Sequence, residues 1–408
     1  MKVLLVHNRY RYPGGEDEVF QREKELLRSL GDKILEYTRN NSEIADSGIL
    51  DKIKRGLQTV WAFDSAEELR SLLRRERPDV AHFHNTFPLI SPSAYYVCRE
   101  EGVPVVQSLY NARLMCPAAT CLREGRVCED CLGRTLAWPG VVHACYHNSR
   151  LQTAVVAAML MAHRLWRTWQ ERVDAYIVAT EFFRQRYIAA GLPPEKIFLK
   201  PHFLSADPGM KEGTGDYALF MGRLAPEKGV ATLLKAWKTL RHIPLWIRGE
   251  GPMEGEVHRF AQANPSIRVL PRLSRSECFE ITKGARFLVW PSEGYAETFG
   301  LVAMEAFACG TPVISSRLGA MQEVVVDKKT GLHFTAGDPE DLAAKVAYAW
   351  THLDEVMEMG RAGRVEYETK YTAKPNYEIL RGIYAKARQN HLSRQELPWQ
   401  SRRIAEKA

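Results

Sequence analysis

Trp290–Glu305 reads WPSEGYAETFGLVAME. The apolar run Phe287 to Trp290 precedes it and stops at Pro291-Ser292, which is the pattern of a short buried strand. A loop with one glycine follows, Glu293 to Thr298. A helix is predicted to start near Phe299 or Gly300 and to run through Ala308, with Gly310 as its stop. Thr311-Pro312 then lead into a second strand, Val313 to Ser315. Strand, loop, helix and strand in this order make a parallel βαβ unit. Ligands of such units sit where strands end and helices begin, and the free N–H groups there favour an anion such as phosphate. Glu297 stands just before the helix and Glu305 inside it. A single Glu in either place is commonly a solvated residue or a complement to the helix dipole.

Taken together, Pro291, Ser292, Glu297, Phe299, Gly300, Glu305, Ala306, Gly310, Pro312 and Val313 resemble the E-x7-E signature of retaining glycosyltransferases of the GT-B fold, in the large family 4. The resemblance implies an α/β architecture of two Rossmann-like domains facing a central cleft. It also implies that Glu297 contacts the donor sugar and that Glu305 holds the ribose hydroxyls of a nucleotide sugar. Phe299, Gly300 and Leu301 fall on the donor side of that pattern.

The second half carries two further donor elements. Leu219 to Met221 is a strand, and Gly222-Arg223-Leu224-Ala225-Pro226-Glu227-Lys228-Gly229 follows it, ahead of a helix from Val230. A surface charge pair is the plain reading of Arg223 and Lys228. The string GRLxPEKG, however, is similar to the family's diphosphate grip. Arg offers a rigid fork of donors and Lys a mobile charge, so the pair can neutralise a leaving diphosphate without Mg²⁺. Ile267 to Leu270 is another strand, and its following loop includes Arg272 and Leu273. In the family that loop borders the nucleobase.

In the first half, Val3 to Val6 is a strand, and a loop ending in Gly14-Gly15-Glu16-Asp17 precedes a helix from Val19 to Leu30. Gly-Gly is most often only a turn. Here it is similar to the family's N-terminal glycine loop, near the donor phosphates and the acceptor. Val80 to Phe83 delivers His84 and Asn85 to a strand end, and Pro104 to Leu109 delivers Tyr110 and Asn111. These ends resemble a subgroup pattern, HxHN-xFP and TLHNYRLxCP. The family's active-site His is Tyr110 in this chain. A Tyr can hydrogen-bond a sugar hydroxyl but does not titrate near neutral pH. His84, Asn85 and Asn111 are thereby placed on the acceptor side, with Tyr110, Glu297, Arg223 and Lys228 as the catalytic set.

Cys116, Cys121, Cys128, Cys131 and Cys145 fall within thirty residues. Cys116, Cys128, Cys131 and Cys145 have the spacing of a closed tetrahedral zinc site, with Cys121 as the substitute ligand. A redox pair or unliganded thiols remain open. Leu151 to Val173 is predicted as one long helix, read as a core helix with a solvated face; interfacial docking on an anionic membrane is the alternative.

Composition sets the frame. The chain has 408 residues, 45% of them hydrophobic and 26% charged, which suits two or three globular domains. The expected division is an acceptor-side domain, 1–207, with a cysteine-rich insertion at 113–148; a nucleotide-sugar domain, 208–372; and a segment, 373–408, that crosses back as a helix and ends in a basic tail. MKVLLVHN is too short in its apolar run for a signal peptide, and no run of about 18 apolar residues spans a membrane. A cytoplasmic location is expected, with peripheral contact to the inner membrane face left open. The +7 charge suits phosphate ligands, anionic membranes or nucleic acid alike. Its scatter along the chain disfavours nucleic acid. The expected partners are a UDP- or GDP-linked sugar and a sugar, lipid-linked or small-molecule acceptor. No cofactor is expected for catalysis, and structural zinc is the one metal considered. A hydrolase or a non-catalytic sugar-nucleotide-binding protein of the same fold are the rival readings.

Overall fold

The structure is a computed structural model and describes residues 1–10, 14–44, 56–295 and 297–405. Two six-stranded parallel sheets organise it, in the order β2-β1-β3-β4-β7-β8 and β11-β10-β9-β12-β13-β14. In the first sheet β1 is Lys2–Arg9, β2 Lys33–Asn40, β3 Val80–Asn85, β4 Val105–Ser108, β7 Ala175–Val178 and β8 Ile197–Leu199. In the second β9 is Tyr217–Met221, β10 Leu245–Arg248, β11 Ile267–Leu270, β12 Ala285–Trp290, β13 Val313–Ser316 and β14 Gly331–Phe334. A short hairpin, β5 Leu122–Arg123 with β6 Arg126–Val127, lies in the cysteine-rich insertion. Parallel strands need crossovers, and helices on both faces supply them, so the strands are buried and nearly continuously apolar. Val3, Leu4, Leu5 and Val6 are fully buried, as are Ala218 and Leu219.

In each sheet the first strand of the domain is internal, flanked by strands that run out in opposite directions. That reversal opens a crevice at the carboxyl ends of the strands. In the first domain the crevice receives His7, His84, Asn85 and Tyr110; in the second it receives the Gly222 turn and the loop after Trp290. Leu204 bridges to Thr372 between the domains. The helix Ala373–Ala405 then returns to the first sheet, where Leu380, Ile383, Tyr384 and Ala387 pack against Val3, Leu5, Val80 and Val106.

Two expectations are corrected, and a strand without a sequence signal is added. The long helix predicted over 151–173 breaks: Arg150–Leu165 and Thr168–Glu171 are separate helices, because Arg167 takes a left-handed conformation with φ 52°. The donor-side helix spans Leu301–Ala308 and begins after Gly300, whose φ of 99° is not helical. A Cβ at Gly300 would lie 2.0 Å from the Trp290 ring, so both the backbone angle and the space demand glycine. The region after residue 31 contains β2, an edge strand that carries Lys33, Glu36 and Arg39 across its two faces. Such charges protect an edge and erase the apolar signal of a strand. Ala296 and residues 45–55 of that region lie outside the described residues.

Candidate functional site

The second-domain wall is built on close backbone approaches. Pro226–Lys228 forms a 3-10 turn after β9, and Gly229 follows with φ 68°. A Cβ there would fall 1.8 Å from the Pro291 carbonyl oxygen, so only glycine lets this turn meet the strand end at Trp290. The contact brings Lys228 to Glu297: the ammonium donates to Glu297 Oε1, which also accepts from Ser292 Oγ at 2.9 Å and Trp290 Nε1 at 3.3 Å. Burial works to raise the Glu297 carboxyl, but Lys228, Ser292 and Trp290 outweigh it and hold the group below the ordinary range. Arg223 is largely exposed and bonds Glu227 Oε1 at 2.7 Å. Its fork can therefore turn to a ligand at small cost.

Glu305 meets the first domain. Its Oε1 accepts from Arg22 Nη2 at 2.8 Å, and Arg275 lies 3.9 Å away. Arg275 also pairs with Glu18 at 3.2 Å. Burial pushes the Glu305 carboxyl up despite the opposing pull of Arg22. Leu301 reaches the glycine loop: a Cβ on Gly15 would lie 3.4 Å from Leu301 Cδ1. Gly14 caps the Gly15–Ser29 helix, and its N–H donates to Asp17 Oδ2 at 3.0 Å. Arg22, Glu18 and Arg275 are absent from the sequence-derived site. An arginine inside an ordinary amphipathic helix carries no motif, and only the cross-domain contact reveals it.

Other expected donor residues are placed less directly. The Phe299 ring is buried against His202 at 5.1 Å and Tyr371 at 5.4 Å, so its side chain is core and only its backbone borders the cleft. Gly222 N–H donates to Arg248 O at 3.1 Å, and its own carbonyl would collide with any Cβ on Gly249. Arg272 is exposed, and Leu273 O accepts a long 3.5 Å bond from Arg248 Nη2. Neither reaches the Glu305 group through a described contact.

On the first-domain wall the Tyr110 hydroxyl pairs with His84 Nδ1 at 2.8 Å, and the two rings stack with centroids 5.7 Å apart. Burial, with Glu23 close by, keeps Tyr110 well above its ordinary pKa, so it stays neutral. Burial and neighbouring His82 push His84 far down, so it stays neutral too. The Tyr110 carbonyl accepts from Thr298 Oγ1 at 3.1 Å, which ties this strand end to the residue after Glu297. Behind His84 lies a buried ion pair, Lys200 with Glu23, and Glu23 Oε2 is 3.7 Å from both His82 and His84. Glu23, His82 and His84 form the one group of three close metal-type ligands among the described residues. The Lys200 ammonium already neutralises that carboxylate, which disfavours a cation there.

Asn111 Nδ2 donates to Glu16 Oε1 at 2.7 Å, and Tyr10 OH to Glu16 Oε2 at 3.0 Å. Burial raises the Glu16 carboxyl. Asn85 Nδ2 donates to Asn8 O at 2.9 Å. A pocket opens beside these groups, lined among others by Tyr10, His84, Asn85, Asn111, Arg113 and Met159. Its aromatic rings and uncharged amides suit a sugar, which presents apolar ring faces and hydroxyl edges.

Cys116, Cys121, Cys128, Cys131 and Cys145 all line one small pocket beneath Tyr295, and all are free thiols. Among the described residues no three of their sulfurs lie within 4.8 Å of one another, so the closed tetrahedron expected from their spacing is not assembled.

The family model described as glycosyl transferases group 1 matches residues 207–365, and the one described as glycosyl transferase 4-like domain matches residues 50–202. An uncharacterized glycosyltransferase of Methanocaldococcus jannaschii is 31% identical over 175 residues, covering 42% of this chain and 49% of that protein. An alpha-maltose-1-phosphate synthase of Mycolicibacterium smegmatis is 29% identical over 256 residues, 54% of this chain and 66% of that one. The matches thus span about half to two thirds of the length of these curated relatives. Among solved structures, the Anabaena HepE protein in complex with UDP superposes with a TM-score of 0.65 at 14% identity, over 94% of this chain and 100% of that one. That likeness shows the GT-B fold.

Proposed function

Since the chain belongs to the glycosyl transferases group 1 family, we propose that it moves a sugar from a nucleoside diphosphate sugar to an acceptor with retention of anomeric configuration. The carrying observation is the Lys228–Glu297 pair, set at the meeting of two strand-to-helix turns. A cation for the departing diphosphate and an ionised carboxylate for the sugar are thereby side by side. Arg223, free to swing, adds a second positive charge, and the N–H groups opening the Leu301–Ala308 helix add partial ones.

The step is a front-face displacement. The bond from C1 of the sugar to the phosphate oxygen breaks, and a bond to the acceptor hydroxyl oxygen forms on the same face. The acceptor proton passes to the departing phosphate. A covalent intermediate would need a second carboxylate beside the sugar, and we assign none to that role. Glu305 is assigned to the ribose, and the pocket beside Tyr110 and Asn111 to the acceptor. HepE was solved with UDP, which favours a uridine nucleotide. The charge-neutralising role of Lys228 and Arg223 supports turnover without a divalent metal. The cysteine pocket would become a structural zinc site, separate from the chemistry, if four of its thiolates drew together around the ion.

Calorimetric titration with UDP and GDP, followed by turnover of their sugars with and without chelator, tests this reading. Binding of UDP in the micromolar range and chelator-insensitive transfer are expected. Absence of binding by either nucleotide would remove the donor assignment.

A further inference from the structure

The helix Arg150–Leu165 was expected to be a core helix with a solvated face; its outward face is exposed, but it is largely apolar. Val156, Ala157, Met159, Leu160 and His163 face inward and are buried. The opposite face is apolar as well: Leu151 is 75% exposed and Leu165 65%, with Val155, Ala158 and Met161 spaced between them. A helix apolar all round belongs inside a core or against lipid, and this one is covered on one side only.

The exposed apolar surface continues beyond the helix. Trp166 is 50% exposed, and Trp61 lies between it and Phe63, with ring centroids 6.0 and 6.3 Å away; Phe63 itself is 77% exposed. The short helix Trp138–Val142 packs alongside, and both its end residues are about half exposed. Nine of the eighteen exposed large apolar side chains among the described residues lie between positions 57 and 166, so the exposure is concentrated rather than scattered.

Charge identifies the occupant. From Cys131 to Gln170 the chain has four arginines and no Asp or Glu. Arg134 and Arg150 are exposed beside the apolar side chains, and Arg167, also exposed, is paired with Glu171 at 2.7 Å. Arg134 stacks over the Trp138 ring at 5.7 Å. Arginines and tryptophans around an aliphatic stripe match the boundary of an anionic bilayer, where guanidinium groups meet phosphate and indoles sit at headgroup level. A second copy of the chain fits poorly, because a two-fold contact would set this arginine-rich face against itself.

We infer that the outer face of the Arg150–Leu165 helix, with Phe63, Trp138 and Trp166 beside it, docks on an anionic lipid bilayer. No helix among the described residues is long and apolar enough to cross one, so the contact is interfacial. The position also bears on the acceptor. Met159, on the inner face of the same helix, lines the pocket that holds His84, Asn85 and Asn111. One helix thus separates the docking face from the acceptor pocket. Resting on the transferase reading, this favours an acceptor whose sugar or hydroxyl head is carried on a lipid.

Vesicle flotation of the full chain tests the docking, with phosphatidylcholine alone or mixed with phosphatidylglycerol. Flotation with the mixed vesicles is expected, weaker at high salt. The double variant Leu151→Glu, Leu165→Glu should lose about tenfold or more in partitioning, while Val365→Glu, at an exposed apolar site in the other domain, should float like the wild type. Both sites are solvent-exposed, so an unchanged melting midpoint and unchanged UDP binding are expected and confirm that the variants fold. Failure of the wild type to float, equal flotation of the double variant, or a wild-type dimer that the double variant abolishes would each overturn the inference. Flotation without any nucleotide binding would leave docking standing and remove the transferase reading instead.

Discussion

Arg22 of the first domain donates to Glu305 of the second at 2.8 Å, so the carboxylate assigned to the donor ribose is already paired across the cleft. The Arg22 side chain is 3% exposed, and its other amino group donates to Phe203 O at 3.1 Å. The guanidinium therefore holds the linker end and the donor helix together. Replacing it with Leu leaves the mostly buried Glu305 with only the 3.9 Å contact to Arg275, a defect of at most about 3–5 kcal/mol. Arg22→Leu should lower the chemical-denaturation midpoint accordingly. The sign with pH follows from Glu305. Its folded pKa is raised, and losing Arg22 raises it further. A carboxyl raised in the folded state costs stability as pH climbs from its unfolded value through its folded one. The deficit of the variant should thus shrink on the acid side of that window. A deficit independent of pH would mean that the lost Phe203 contact, not the ion pair, dominates.

Lys228→Ala separates binding from electrostatics. Loss of a charge-assisted contact should weaken nucleoside diphosphate binding by about 1.5–3 kcal/mol, read by calorimetry. It should also release Glu297. In the wild type that carboxyl is held below its ordinary 4.5, chiefly by Lys228 against the effect of burial. Its contribution to stability is present above 4.5 and is lost as pH falls through the depressed value. In the variant burial acts without its main counterweight, so this contribution, and the stability lost on acidification, should be smaller. Unchanged nucleotide affinity would remove Lys228 from the phosphate site.

The parts of this site that sequence makes legible are those where backbone geometry forces residue identity. Gly229 and Gly300 cannot carry a Cβ; Gly229 directly follows Lys228, and Gly300 ends the loop that carries Glu297. Strand ends were equally readable, because the apolar runs before His84, Tyr110 and Gly222 are short and buried. Arg22, Glu18 and Arg275 were not readable. They act only through pairing between domains far apart in sequence, and a helix surface looks the same whether it faces water or a partner. The break at Arg167 was hidden for a related reason, since no Gly or Pro marks it. The apolar character of the outer face of the Arg150–Leu165 helix was not readable, because its alanines and flanking arginines dilute the pattern.

Tyr110 is predicted to shape donor choice. Its hydroxyl is engaged with His84 Nδ1, and its carbonyl with Thr298, so it is fixed from both sides. Tyr110→Phe strips His84 of a partner in a site where His84 Nε2 already has none. A cost of about 1–3 kcal/mol in stability is expected, with a lower kcat/KM for the native donor. Tyr110→His restores an imidazole at the strand end and should change the relative kcat/KM among donor sugars. If both variants leave rates and donor ranking untouched, Tyr110 lies outside the pocket.

The cysteine-rich insertion is expected to couple metal to the donor loop. Tyr295, two residues before Glu297, donates its N–H to Thr120 O at 3.0 Å, beside Cys121. Gly294 packs so closely on Leu122 that an added Cβ would come within 2.9 Å of its Cβ. The regular structure of the insertion is one hairpin of two-residue strands and the short helix Trp138–Val142, and Ala119, Cys121 and Glu124 all take positive φ. A cross-link would offset the entropy of ordering such a segment, and four thiolates drawn inward around one zinc would provide it. Elemental analysis of protein purified without chelator should find about one zinc per chain. Cys128→Ser and Cys131→Ser should abolish it, and Cys278→Ser, in the other domain, should not. Stripping the metal from the wild type should lower both the melting midpoint and the affinity for UDP, because the loop carrying Glu297 loses its support on Thr120 and Leu122. Metal-free wild type that also takes up no added zinc would leave five ordinary thiols and a loop held by packing alone.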